Sequence, residues 1–218
     1  MIIDCIGCLH GYRPKLEGGD LLIITGDLTA SDKPHQYPDF FQWLFNQKYK
    51  KKVLIGGNHD NAMKSSFVKF DSNSQCDYLC DSSIEFEDIK IYGSPWTKTF
   101  PGINAHCRAF TCETEEQLAE KWALIPNDVD ILVTHSPAFG ILDGIPLEDG
   151  SLFHAGSKSL LKEIKRIDPR LVIHSHIHEA YGQTDHFPEY EQGMITTVNC
   201  SIMNERYKPD NAPIRFIL

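Results

Sequence analysis

Long hydrophobic runs are missing from this 218-residue chain. No apolar stretch approaches the roughly 18 residues that a membrane-spanning helix needs. Basic charge is scarce: 21 Lys and Arg against 30 Asp and Glu leave a net charge of −9. That balance repels phosphate backbones and anionic bilayers at long range, so neither a nucleic-acid polymer nor a membrane surface is the expected partner. The seven cysteines include no CxxC pair. Cys76 and Cys80 are spaced CxxxC without a second pair, which leaves a structural zinc set incomplete. An odd number of scattered cysteines suits reduced thiols and a cytoplasmic setting. The N-terminal MIID has neither a basic region nor a long apolar stretch, so no signal peptide is expected. Repeats, low-complexity tracts and Ser/Gly linkers are also lacking, and 1–218 reads as one domain. With 41% hydrophobic residues, a chain of this length buries roughly 70% of its unfolded surface.

What is present in quantity is histidine, ten residues in an acidic chain. Acid and imidazole together are what a metal site requires, although composition alone places none. Short apolar runs at Ile2–Ile6, Leu21–Thr25, Val53–Ile55, Ile131–Thr134 and Leu171–His174 read as strands. Between them lie helical patterns. Tyr37, Phe40, Phe41, Leu44 and Phe45 recur at helical spacing over about 36–47. The TEEQ at 114–117 is a capping box that opens a helix carrying Leu118, Trp122 and Ile125. Leu160, Leu161, Ile164 and Ile167 mark a third helix over about 157–167, ended by Pro169. Segment 77–92 reads as strands around Asp-Ser turns. Lys50, Lys51 and Lys52 read as a solvated helix end, where positive charge suits the dipole. Alternating β and α units with a β-rich insert indicate an α/β sandwich.

The chemistry sits where the strands end. The first runs into Cys8-Leu-His10, the second into Gly26-Asp27, and the third into Gly56, Gly57, Asn58, His59 and Asp60. The fourth delivers His135, and the fifth His174-Ser-His176-Ile-His178. In α/β sheets the C-terminal strand ends line the ligand crevice, so five such endings argue for one convergent site. Imidazoles, carboxylates and an amide oxygen suit Zn, Mn or Fe. Six or more donors exceed what one tetrahedral ion takes, which implies two ions. Taken one at a time, these residues are ordinary polar groups at strand ends; their joint placement is what argues otherwise.

The order D-x-H, GD, GNHD, TH and GHxH is the signature of calcineurin-like metallophosphoesterases. This chain resembles it through CLH at 8–10, GD at 26–27, GNHD at 57–60, TH at 134–135 and SHIH at 175–178. EKWALIP at 120–126, DILVTHSP at 130–137, GILD at 140–143 and HIHEAYG at 176–182 look like the branch of metallophosphoesterase-domain-containing proteins. The resemblance implies a four-layer α/β/β/α sandwich of two mixed β-sheets flanked by helices. It implies a phosphodiesterase that cleaves a small phosphodiester, a cyclic nucleotide among them, with a hydroxide activated by two divalent metal ions (Mn, Zn or Fe). One ion would be held by position 8, His10, Asp27 and His178. The other would be held by Asp27, Asn58, His135 and His176. His59 would be the general acid and Asp60 would orient its ring. Trp96, Phe139 and Asp143 could line the substrate pocket or, for the two rings, pack in the core.

One position departs from the pattern, because Cys8 stands where the family has Asp. Asp4 cannot substitute, since four strand residues span roughly 13 Å. A thiolate would keep the charge and bind zinc or iron at about 2.3 Å, and as a softer donor it disfavours manganese. The alternative is a weakened first site: a metal-impaired relative that binds nucleotides or a partner, or a single-metal phosphomonoesterase. His174 is expected beside the site rather than in it. His35, His106, His154 and His186 read as surface or loop residues.

Overall fold

The computed structural model describes residues 1–99, 106–185, 187 and 195–218. The first half runs β1 (Ile2–Ile6), β2 (Gly19–Ile24), α1 (Gln36–Phe45), β3 (Tyr49–Leu54) and α2 (Asn61–Lys64). It continues with β4 (Cys76–Tyr78), β5 (Ser82–Phe86), β6 (Ile89–Ser94), β7 (Thr97–Lys98) and β8 (Thr111–Cys112). The second half holds α3 (Glu115–Trp122), β9 (Ile131–Thr134), β10 (Gly144–Pro146), β11 (Leu152–His154) and α4 (Lys158–Ile167). It closes with β12 (Leu171–His174), β13 (Gly182–Thr184), β14 (Thr196–Asn199) and β15 (Ile214–Ile217).

Two mixed sheets form the centre. One has the order β15-β1-β2-β3-β4, parallel except for β15; the other has β13-β14-β12-β9-β6-β5, with antiparallel strands at both edges. Strand alternation builds the layers. In β2, Leu21 and Ile23 face the second sheet, where Ile91, Ile131, Val133, Ile173 and Val198 meet them. Leu22 and Ile24 point the other way, onto Tyr37, Phe40 and Leu44 of α1. On the far side, Leu132 and Val172 pack against Leu118 and Trp122 of α3 and Leu160 and Ile164 of α4. The result is the four-layer α/β/β/α sandwich. Helices α1, α3 and α4 are amphipathic because only one face of each has a sheet to cover. No helix among the described residues is long and apolar enough to cross a membrane.

Local chemistry sets the element ends. The Thr114 hydroxyl accepts the Gln117 N–H at the start of α3, while the Gln117 side chain reaches back to the Glu113 N–H. Ser157 caps α4, and Glu115 of α3 accepts from Ser157 and Ser159, tying the two helices together. The lysine run corrects the sequence reading. α1 stops at Phe45, and Lys50, Lys51 and Lys52 lie inside β3 between β2 and β4. Acidic neighbours explain why a strand tolerates them. Lys50 pairs with Asp20 at 2.7 Å and Glu87 at 3.3 Å, and Lys51 pairs with Asp77. Lys52 is buried, and desolvation lowers its pKa. Asp4 is buried with Tyr49 and bidentate to Arg215 at 2.7 Å, so it anchors β15 and has no part in the site.

Candidate metal centre

The five strand endings of the sequence reading come together at one edge of the sandwich. Cys8, His10, Asp27 and His176 adopt left-handed backbone, with φ of 44°, 41°, 55° and 73°. Such residues are strained and persist where surrounding bonds over-determine them. Here the bonds are Cys8 N–H to the Gly26 carbonyl at 3.1 Å and His10 N–H to the Asp27 carbonyl at 2.8 Å. Gly26 makes the turn before Asp27 at φ 96°. Gly57 is required by proximity: a Cβ there would lie 2.3 Å from Asp27 Oδ1 and 2.6 Å from His135 Cε1.

Asp27 is the hinge of the cluster. Its Oδ1 accepts the His59 N–H at 2.9 Å. Its Oδ2 lies 3.6 Å from His10 Nε2 and 3.5 Å from His135 Nε2. Burial works against this carboxylate, yet His135, His59, His10 and the His59 N–H hold its pKa below the ordinary range. Burial lowers His10 to about 4 and moves His176 and His178 down as well.

Two carbonyls fix tautomers. His135 Nδ1 donates to the Thr25 carbonyl at 2.7 Å, and His178 Nδ1 to the Asn204 carbonyl at 3.1 Å. Each ring therefore turns an Nε2 lone pair into the cluster. For His135 that lone pair meets Asn58 Oδ1 at 3.0 Å and Asp27 Oδ2 at 3.5 Å. His10 Nε2 is buried with no hydrogen-bond partner. Acceptors facing acceptors without a donor between them are costly, and cations answer the arrangement. The donor groups fit: Cys8, His10 and His178 have ligand atoms within 4.8 Å of one another, as do Cys8, Asp27 and His135. Cys8 thus belongs to both groups. Its buried Sγ accepts the His176 N–H at 3.0 Å. Burial, then Asp27, pushes the thiol pKa well above its usual value, so it is protonated until a cation takes the proton's place. The His176 ring lies 4.8 Å from that of His135.

Asp60 has a different place from the one the sequence suggested. Its carboxylate accepts the N–H groups of Asp27, Leu28 and Gly57 at 2.8–3.1 Å and the Tyr37 hydroxyl at 3.2 Å. It organises the loops and does not orient the His59 ring, because neighbouring side chains in this turn diverge. Burial and Asp27 raise its pKa to about 7, against those backbone donors. The partner of His59 Nδ1 is Cys107 Sγ at 3.2 Å.

A cavity of about 650 Å³ opens over the cluster, with His10, Asp32, His59, Cys107 and Tyr207 among its walls. A second depression of about 610 Å³, with Lys64, Phe67 and Arg108, shares Asp32 and Asn61 with it. Trp96, Phe139 and Asp143 line neither. Trp96 donates to Asp81 at 2.8 Å under the Lys121 ammonium, and Phe139 lies beneath that of Lys158. Asp143 is buried, receiving Gly140, Gly156 and His154. His174 is buried beside the cluster, lowered to about 4 by burial. His35, His106 and His154 are exposed, as expected, and His106 also lines the cavity over the cluster. His186 lies outside the described residues. Sequence reasoning missed Thr25, Cys107, Asn204 and Tyr207. Only Thr25, at a strand end, carried a positional hint.

Known proteins are similar to this chain. The family model described as calcineurin-like phosphoesterase matches residues 2–180. Metallophosphoesterase domain-containing protein 1 from Homo sapiens is 35% identical, over 96% of this chain and 68% of its own length. The UPF0046 protein T07D4.2 of Caenorhabditis elegans is 32% identical over 97% of this chain and 58% of its own. Among solved structures, TT1561 of Thermus thermophilus superposes with a TM-score of 0.54 over 91% of this chain and 88% of that one, at 17% identity. That likeness concerns the fold alone. With the family match spanning β1 to the turn after β12, and the ordered donors converging on one carboxylate, this chain belongs to the calcineurin-like phosphoesterases, whose chemistry is metal-dependent phosphoester hydrolysis.

Proposed function

We propose that this protein is a phosphodiesterase acting on a small phosphodiester, cyclic nucleotides being within that class. The observation that carries the reading is Asp27 Oδ2, set between His10 Nε2 and His135 Nε2 at 3.6 and 3.5 Å. One oxygen flanked by two imidazoles suits a carboxylate shared by two ion positions. His10, His178 and Cys8 would hold one ion; Asn58, His135 and His176 would hold the other. Two divalent ions held there would supply an activated water and neutralise phosphate charge during in-line attack.

The chain's own residues do the rest. His59 stands at the cavity wall with its ring 4.6 Å from that of His10 and Nδ1 against Cys107. Its other ring nitrogen has no protein partner among the described residues and is placed to pass a proton to a leaving alkoxide. Two contiguous depressions give each ester arm a place, which favours a diester over a monoester. A polymer would meet the net charge of −9 along its length. The test is hydrolysis of bis-p-nitrophenyl phosphate with added Mn²⁺, Zn²⁺ or Fe²⁺. Turnover well above that of p-nitrophenyl phosphate is expected, and no turnover with any of the metals would sink the proposal.

One observation favours a second reading, a binding protein with an impaired first ion position: the complete burial of the Cys8 thiol, which raises its pKa. Cys8→Asp separates the two. A large gain in rate and metal content marks an impaired native site, whereas a loss marks the thiolate as a working ligand.

A further inference from the structure

The loop from Met203 to Asn211 lies past the segment that the family model matches, yet it reaches the cluster twice. Asn204 is wired at nearly every polar atom. Its side-chain oxygen accepts the N–H groups of Arg206 at 2.8 Å and Lys208 at 3.0 Å, and its amide donates to Asp210 at 2.6 Å. Its N–H donates to the Lys208 carbonyl at 2.9 Å. Its own carbonyl accepts the Tyr207 N–H at 2.9 Å and His178 Nδ1 at 3.1 Å.

Within this knot Tyr207 adopts φ 55°, a conformation that residues with a Cβ avoid. Its ring is held 4.9 Å from both His10 and His178, edge-on to each, and forms a wall of the cavity. A turn this heavily bonded around a strained aromatic residue exceeds what closing a surface loop needs. Its two contacts fall on the two imidazoles assigned to one ion position.

We propose that Asn204 is a positioning residue for that ion position, and that the Tyr207 it holds in place selects substrate there. The carbonyl of Asn204 sets His178 with Nε2 inward. The side chain of Asn204 keeps that carbonyl, and the Tyr207 ring, from swinging away. Partners of this kind around a metal-binding histidine typically change affinity by about 10- to 100-fold. The inference rests on the proposed two-ion site, and its test reads metal binding apart from turnover.

The experiment titrates the metal-stripped full-length chain with cobalt(II), followed by visible absorption. Wild type is expected to bind two ions. Asn204→Ala should weaken one of them by about tenfold or more and leave the other unchanged. Asn204→Asp keeps the oxygen that accepts two N–H bonds but sets a carboxylate against Asp210, so it should recover most of the loss only when combined with Asp210→Asn. Tyr207→Gly suits the left-handed backbone and so does not threaten folding. It should hold cobalt within about twofold of wild type. Its KM for bis-p-nitrophenyl phosphate should rise about fivefold, with kcat little changed, the pattern of lost substrate binding. Identical titrations of wild type and Asn204→Ala, or an unchanged KM in Tyr207→Gly, would overturn the inference alone. A wild-type chain that takes up no cobalt would overturn the two-ion reading with it.

Discussion

The two sides of the metal cluster are built from different materials. On one side, His135 comes off β9 with its tautomer fixed by the Thr25 carbonyl, and Asn58 Oδ1 stands 3.0 Å away. The donors assigned to that side are nitrogen and oxygen, although Cys8 Sγ lies within 4.8 Å of the ligand atoms of Asp27 and His135 as well. On the other side a sulfur sits between two imidazoles. His178 is tied to a loop carbonyl, while His10 Nε2 has no partner. Asp27 serves both. The difference is one of readiness. His135 offers its lone pair before any ion arrives, whereas an ion on the other side must first remove a proton from Cys8, which burial and Asp27 hold above the ordinary thiol range. The Cys8 side should therefore be the weaker and more pH-dependent of the two.

The largest effect comes from breaking both sides at once. Asp27→Ala removes the carboxylate they share and should empty both positions, with a loss in turnover of about 10³-fold or more, since two-ion clamps depend on that charge. Elemental analysis together with bis-p-nitrophenyl phosphate turnover checks this; a variant that keeps one ion and most of its rate would show the sides to be independent. His59→Gln should act on neither side. We expect kcat to fall by roughly 10²-fold, the scale of a lost general acid, with both ions retained. A fall in metal content instead would make His59 a ligand, which its place beside His10 and Asp27 permits.

The sides separate by proton count. Ion uptake at the Cys8 side should strengthen by about tenfold per pH unit below the thiol pKa, while the Asn58–His135–His176 side, assigned no thiol to deprotonate, should depend on pH far less. Cobalt titrations at pH 6.5, 7.5 and 8.5 measure this. Cys8→Ser should flatten the steep isotherm, and two parallel slopes in the wild type would erase the asymmetry.

How much of this was legible beforehand depends on the range of the interaction. Short apolar runs announced β1, β9 and β12 to the residue, because a strand buried on both faces leaves no other pattern. The lysines of β3 did not read as strand, because their acidic partners Asp20, Asp77 and Glu87 come from other elements. Within the site, ordered motifs named the donors that Asp27 gathers. Adjacency misled at His59-Asp60, since the Asp60 carboxylate turns inward to three loop N–H groups and the Tyr37 hydroxyl of α1. Cys107 and Tyr207 had no spacing to betray them: one meets His59 across 48 residues, and the other lies in NERYKPDN, which reads as a polar turn.

The smallest effect concerns stability, and it compares a proposed ligand with a bystander. His10 and His174 are both lowered from 6.5 to about 4, in each case chiefly by burial. Their folded pKa values lie below the unfolded value, so between about pH 6.5 and 4 the unfolded chain binds more protons than the folded one. Their stabilising contribution is thus complete above pH 6.5 and is lost as pH falls toward 4. For fully buried His174 the loss amounts to roughly 3 kcal/mol. The metal-free protein should accordingly lose thermal stability over that window, and His174→Asn should make the decline shallower. Added zinc separates the two residues. An ion on His10 competes with the proton and resists its share of the decline, while His174, outside the donor groups, continues to respond to acid as before. If zinc protected the His174→Asn variant no better than it protected the His10→Ala, His174→Asn double variant, His10 would not be holding an ion at all.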